Sequence, residues 1–579
     1  MNDKSFEKYF QNELGKLQGL AQEFSTAYPS VAPLLQAHNA DPDAERLLEG
    51  VSFLTALLNQ KLDNEFPEVV HELINVLFPH YLKPIPAFSI LEFTPKVSLR
   101  ERRNVPKGSI INSVPIENVA CTFSTTSEID FYPLELVGTH YESRSENVSS
   151  RLSLELNVNN TSPASLDLDA LDFYLSDSYN EASNLFMLLS HYLQKITLTF
   201  NGKSIDLPVE MLISKGFERE SSLLQYPSNA FSSYALLQEY FVLPQKFLFF
   251  RLEGLQKLQK YAGVKSFTVD FQFRPSLVQL ETHEKEVIKL FCTPVCNLFD
   301  EEAEPITVTH EKELLHVRPP LKYADKCQVY DIKSISSYIQ GGSRQKVYVP
   351  FESFEQDQQE KSIYQVHRKI SIVTGKEELY LQLHYDDKEV IGKEVLSVKI
   401  SCTNGALTER LQLGEISKGS DTSPEQATFR DIIPCTMQID SPVSDNSLWQ
   451  LISHLSVNLL SLSDIKTFKE MLRLYIFSNN RDKSRVAKNK KHIDAIERFE
   501  VHPMDMVKRG YLLKGHNVVM EVRQDYFASL GDLYLFCSVI LRFLGSYTAL
   551  NTFVALEVKE KITGERLRWE PILGNKKLL

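Results

Sequence analysis

The sequence predicts a multidomain α+β protein, with a helical N-terminal segment, β-rich sandwich-like middle domains and a mixed α/β C-terminal domain. Three observations carry this prediction. Apolar residues recur every three or four positions over the first eighty residues. They alternate with polar residues from about Ser89 to about 440, and after Ser441 both periods occur. The chain also has 579 residues, well beyond the roughly 250–300 at which a single core stops growing. The changes of period divide it into 1–85, 86–310, 311–440 and 441–579.

In the first part, Phe6, Phe10, Leu14, Leu17, Ala21 and Phe24 form one apolar stripe at helical spacing, interrupted by Pro29 and Pro33. Asp41 is placed as an N-cap with Pro42 at the first helical position. Leu47, Val51, Leu54, Leu58 and Leu62 follow on one face. Pro67 starts a further helix, which stops at Pro79.

The second part reads as strands. FSILEFTP, SRLSLELNV and KITLTFNGKSIDL alternate apolar and polar residues, and Asn201-Gly202 marks a hairpin turn. Helices are predicted near 180–193 and 232–241, the second ended by Pro244. KFLFFRLEGL, SFTVDFQF and VIKLFCTPV then resume strand. Residues 311–440 contain the short β-like runs KVYVPF, ELYLQLHY and VLSVKISCTNG, which suggest a sandwich of modest size.

Beyond Ser441, LWQLISHLSVNLLSL and IKTFKEMLRLYIF read as helices. HNVVMEVRQ reads as strand, LYLFCSVILRFL as helix and ALNTFVALEV as strand. The apolar stretch from Tyr534 to Leu556 carries Arg542 in mid-span, at about 2.5–3.5 kcal/mol for a central arginine in a membrane. It is therefore read as a buried helix followed by a buried strand, not as a membrane span. The start, MNDKSFEKYF, has no apolar core and no cleavage site, so no signal peptide is expected.

Composition narrows the function classes. A formal net charge of −12 disfavours general nucleic-acid binding, which depends on neutralising phosphates. The basic run Arg481, Lys483, Arg485, Lys488, Lys490 and Lys491 contains no aromatic residue for base stacking and is read as a solvated loop. The 34 Phe and 24 Tyr suit either a large core or a large subunit interface. Seven scattered cysteines argue against a disulfide framework. Cys292 and Cys296, separated by three residues with no second pair, are read as buried thiols and not as a zinc site.

A search for catalytic motifs finds none. His71-Glu72 is followed by Asn75 where a zinc protease needs histidine, and Gly375-Lys376 lacks the rest of a phosphate loop. Asp386 and Asp387, beside His384, are adjacent residues that would point to opposite faces of a strand, and they are read as a turn. His454 and Trp449 lie on an apolar helix and are read as core. No catalytic residue, cofactor site or metal site is predicted.

Six segments, in order along the chain, carry a family resemblance. DPDAERLLEGVSFLTALLNQKLDNEFPEVVHELINVLFPHYLKPIPAFSILEF (Asp41 to Phe93) is the longest. It is followed by LLQEYFVLPQKFLFFRLEGL, CTPVCNLFDEEAEPI, LWQLISHLSVNLLSL, YLFCSVILRFLGSYTALNTF and RWEPILG. Together they resemble the TssF (VasA/ImpG) family of type VI secretion baseplate subunits. Cys537, where the family often has glycine, and the final NKKLL depart from its pattern. The resemblance implies a cytoplasmic structural protein, similar to the wedge proteins of contractile phage baseplates, with no catalysis and no cofactor. It implies assembly with TssG, a second TssF copy, TssK, TssE and the VgrG spike hub. It also implies a baseplate docked at the inner face of the cytoplasmic membrane through the secretion membrane complex. A wedge protein of a contractile phage tail is the alternative. Phe6, Phe10, Leu14, Leu17 and Phe24 are the candidate protein-interface residues, with the alternative that they fold back on the Leu47–Leu62 helix.

Overall fold

The computed structural model describes residues 14, 46, 49–55 and 74 of the first eighty. From 81 to 574 it describes all but 143–148, 160–165, 227–231, 262–263, 279, 281–286, 310–312, 324–325, 340–344, 352–361, 372–376, 385–393, 442–463, 478–479, 509 and 549. Two compact units result, Met1–Leu77 and Phe78–Leu579. In the first, Leu14 is helical and half-buried, and residues 49–55 are helical. Strand dominates the second unit, with a few helices between the sheets.

Alternation in the sequence becomes four sheets of four or more strands in the middle of the chain, beside a two-stranded sheet of Arg103–Val105 and Ile129–Phe131. Phe88–Pro95 lies between Cys292–Cys296 and Ala427–Asp431 in a five-stranded sheet. A second five-stranded sheet contains the predicted hairpin, Leu193–Phe200 and Lys203–Leu207. Asn201 and Gly202 join them at φ 46° and 73°, the positive values a two-residue type I′ turn needs. A third, four-stranded sheet holds Phe249–Glu253 beside Ala170–Leu175.

VIKLFCTPV, read as one strand, is two. Phe291 takes φ 53° and breaks the run. Ile288–Leu290 joins the four-stranded sheet, while Cys292–Cys296 joins the first five-stranded one. Both cysteines are buried free thiols, and burial pushes them well above the ordinary thiol range.

The fourth sheet has eight strands, running from Phe299–Glu302 through Glu394–Thr403 and Gln328–Ile339 to Leu315–Val317 at the other end. Phe299 and Val317, from its two end strands, share one apolar cluster with Ile335, Leu381 and Val398. The sheet therefore wraps around a single core. Strand pairing crosses the boundaries read from the changes of period: Phe299–Glu302 belongs to this sheet, and Ala427–Asp431 returns to the first one.

Five helices are used below. They are α1 (Tyr179–Met187), α2 (Ser232–Val242), α3 (Ile465–Arg473), α4 (Lys483–Asp494) and α5 (Leu530–Gly545). Ser178, Asp464, Asp482 and Ser529 cap α1, α3, α4 and α5 by accepting a backbone N–H of the first turn. Every residue of α5 except Arg542 is buried. Side chains such as Leu533, Leu535, Phe536, Val539 and Ile540 are fully enclosed, and each contributes about 1.5–3 kcal/mol by burial. Arg542 stays half-exposed, with its guanidinium 3.8 Å from the centroid of the Phe217 ring. No described helix is long and apolar enough to cross a membrane.

α5 is the crossover of a β–α–β unit. Tyr511–Val522 precedes it, Thr552–Glu560 follows it, and the two strands pair in parallel. A parallel pair needs such a connection, and the apolar face of the sheet and the helix cover each other. Ile496–Lys508 pairs with Tyr511–Val522 as an antiparallel hairpin. This strand was not predicted, because EVHPMDMVK has no clean alternation and contains Pro503.

The crossing of α1 and α5 depends on Gly531. A Cβ there would lie 2.1 Å from the Ser183 carbonyl oxygen and 2.4 Å from the Asn184 nitrogen. Helix propensity favours alanine over glycine by about 1 kcal/mol, whereas overpacking costs about 1–3 kcal/mol or more. Gly531→Ala is therefore expected to destabilise the protein by about 2 kcal/mol in urea unfolding. Equal or greater stability would show that the two helices can separate freely.

Candidate interaction surfaces and a buried polar centre

A buried carboxylate with charged neighbours lies where α1, α2, α4 and α5 meet. Asp532, in the first turn of α5, is fully enclosed. The Tyr179 hydroxyl donates to its Oδ1 at 2.6 Å, and the Ala528 N–H donates to Oδ2 at 3.2 Å. From α4, the Lys488 ammonium stands 3.5 Å from Oδ2. His492, 1% exposed, places Nε2 3.4 Å from the same oxygen, an ion-pair distance outside hydrogen-bond geometry. Its Nδ1 faces the Tyr240 hydroxyl of α2 at 3.3 Å. Burial alone would raise the Asp532 pKa. The His492 imidazole, the Lys488 charge and the Tyr179 hydrogen bond outweigh it and bring the carboxyl from 3.8 down to about 2. Tyr179 and Tyr240 are pushed well above the tyrosine range, first by burial and then by the Asp532 charge.

The basic run is not a solvated loop. Lys483, Arg485, Lys488, Lys490 and Lys491 all lie on α4. Two α4 side chains cap the open C-terminal end of α2. Arg485 donates to the Val242 carbonyl, and Asn489 donates to the Phe241 carbonyl at 2.9 Å. A cation there also complements the helix dipole. Burial lowers the Arg485 pKa, and Asp482 at 3.3 Å counters it. Lys488 lies 4.1 Å from the centroid of the Tyr179 ring. Composition could not separate a free basic loop from a basic helix with carbonyls to cap. The usable signal was Ser529-x-x-Asp532 ahead of an apolar run, a capping pattern that places Asp532 at a helix start.

A cleft of about 210 Å³ opens beside this centre, lined by Tyr179, Tyr240, Gln245, Arg485, Lys488 and His492 among others. A carboxylate held at about 2 is a weak base near neutral pH, and Arg485 and Lys488 are both committed to protein partners. The arrangement locks four helices together. Among the described residues, no group of three or more His, Cys, Asp or Glu could hold a metal ion.

Of the predicted interface residues, Phe6, Phe10, Leu17 and Phe24 lie outside the described residues, and Leu14 is helical and half-buried. His71-Glu72, Asn75, Gly375-Lys376, Asp386, Asp387, Trp449 and His454 also lie outside them. His384 ends the strand Glu377–His384 and is exposed. Exposed apolar side chains among the described residues include two groups. In the first unit, Val51 and Leu54 are 43% and 62% exposed. In the second, the end of the long hairpin exposes Val507, Tyr511 and Leu512. Scattered apolar residues are normal at a surface, but clustered ones mark interaction sites.

The family profile described as "Type VI secretion system, TssF" matches residues 2–576. The chain belongs to the TssF family. It is similar to the type VI secretion system component TssF1 of Pseudomonas aeruginosa PAO1, at 26% identity over 626 aligned positions covering all of both chains. The fold is similar to a chain of a cryo-electron microscopy structure of a TssK-TssF-TssG baseplate subcomplex. That match has TM-score 0.75 and 27% identity, and covers 92% of this chain and 99% of the other. It is also similar to a chain of a type VI secretion baseplate complex, with TM-score 0.63 and 25% identity, covering 99% of this chain and 100% of the other. The family match spans residues 2–576 and so includes the residues of the polar centre.

Because its folded pKa is depressed, Asp532 contributes stability above its unfolded value of 3.8, and this is lost as pH falls toward about 2. The contribution is about 2 kcal/mol. Asp532→Asn is therefore expected to unfold at lower urea concentration than the parent at pH 7. The gap in unfolding free energy should shrink between about pH 4 and pH 2. A gap independent of pH would remove the ionised carboxylate from this account.

Proposed function

We propose that this chain is a structural, non-catalytic subunit of a type VI secretion baseplate wedge. In this reading it joins TssG-type, TssK-type and TssE-type subunits around the spike hub and supports assembly of the tail tube and sheath. The observation that carries the reading is the match, over 92% of the chain, to a subunit fold solved in a TssK-TssF-TssG subcomplex. A non-catalytic role is supported by the polar centre, whose charges are spent on holding helices together. The wedge acts in the cytoplasm, docked at the inner face of the membrane complex, and contains a second copy of this chain beside one TssG-type subunit.

Within that assembly, the stripe Phe6, Phe10, Leu14, Leu17 and Phe24 packs on a partner as an amphipathic helix does in a bundle. Exposure of Val51 and Leu54 in the same unit supports an N-terminal region with apolar surface to cover.

Co-expression with the TssG-, TssK- and TssE-type subunits of the same organism, followed by mass measurement, tests the assembly. A stable complex with two copies of this chain per TssG-type subunit is expected, and recovery of the co-expressed chain free of those subunits contradicts it. Deleting residues 1–28 is expected to lower the yield of the TssG-type complex at least tenfold. Full yield would sink the interface role of the stripe.

A further inference from the structure

We infer that the end of the hairpin formed by Ile496–Lys508 and Tyr511–Val522 is a docking ribbon. It inserts into an apolar groove, closed by carboxylates, on a partner protein other than this chain. The inference rests on the assembly role proposed above.

Strand pairing isolates the end of the ribbon. Thr552–Glu560 supports the hairpin only from Lys514 onward. The last three pairs, Met506–Leu513, Val507–Leu512 and Lys508–Tyr511, are held by the two strands alone. They extend roughly 10 Å beyond the supported sheet at about 3.4 Å per residue. An unsupported two-stranded ribbon is marginal in water.

Both faces of this ribbon are apolar. Successive strand residues point to opposite faces, so Met506 with Leu513 forms one face and Val507 with Leu512 the other. Val507, Tyr511 and Leu512 are 71%, 75% and 63% exposed, while Met506 and Leu513 are half-buried. A strand whose sole task was to edge its own sheet would carry polar residues on the solvent face. A ribbon apolar on both faces suits a groove that closes on it from two sides.

Charge selects the groove. From Asp505 to Gly515 the ribbon carries three cations, Lys508, Arg509 and Lys514, and one anion, Asp505 opposite Lys514, a net charge of +2 in a chain of net charge −12. The complementary surface is acidic. Lys508 stands at the outer end of the paired strands, ahead of the apolar band. A bilayer would have to take in that cation first, at high cost, whereas a protein groove can end in carboxylates. Two copies meeting end to end would set cations against cations. A head-to-tail contact between identical chains would propagate unless it closed into a ring. The occupied surface therefore belongs to a different protein.

The test uses the full chain co-purified with the TssG-type and TssK-type subunits of its own organism. A photo-crosslinking benzoylphenylalanine at Leu512 is expected to join one of these two subunits, at a segment of apolar residues flanked by Asp or Glu. The double variant Val507→Ser/Leu512→Ser and the single variant Lys508→Glu are each expected to reduce recovery of that subunit at least tenfold, with the melting temperature of the isolated chain unchanged. Adducts confined to this chain or a second copy overturn the inference. So does wild-type recovery by both variants, or co-flotation of the wild-type chain with phosphatidylglycerol vesicles. Failure of the wild type itself to form the complex overturns the baseplate reading and this inference together, so the two failures are distinguishable.

Discussion

The close approach of α5 to α1 is the constraint on which the second unit depends. α5 is enclosed along its length, and its first turn meets the backbone of α1 at Gly531 with no room for a side chain. The next residue is the buried carboxylate Asp532. An enclosed anion is tolerable only where donors and cations surround it. The helices that supply them, α1 and α4, are thereby fixed, and α4 in turn caps α2 through Arg485 and Asn489. One apolar helix and one charge thus connect segments about 350 residues apart in sequence, such as Tyr179 and Asp532.

This organisation suits an assembly subunit. Charges of the interior are consumed in fixing the frame, and apolar residues are left exposed at the hairpin end and, in the first unit, at Val51 and Leu54.

Much of the second unit was legible residue by residue. Alternation located Phe88–Pro95, Arg151–Val158 and Ser266–Phe273, and Asn201-Gly202 located a hairpin, because period and turn chemistry are local. Arg542 was legible as the mark of a buried helix and not a membrane span. The strand Ile496–Lys508 was not legible, since its pairing with Tyr511–Val522 overrides a poor pattern and a proline. Nor was the break at Phe291, where one continuous apolar run serves two sheets. The polar centre was least visible. Tyr179, His492 and Asp532 form no motif, and only folding brings them together.

The sequence by itself determined the secondary-structure periods, the family and the absence of a recognisable catalytic pattern, because each is carried by local order along the chain. Tertiary structure decided what the charges do. A basic run that reads as a solvated loop becomes a helix whose side chains cap α2 and hold Asp532 ionised, because whether a cation is solvated or spent depends on which carbonyls and carboxylates lie within a few ångströms. It also decided where the apolar surplus goes, since exposure at Val507, Tyr511 and Leu512 follows from where Thr552–Glu560 stops pairing.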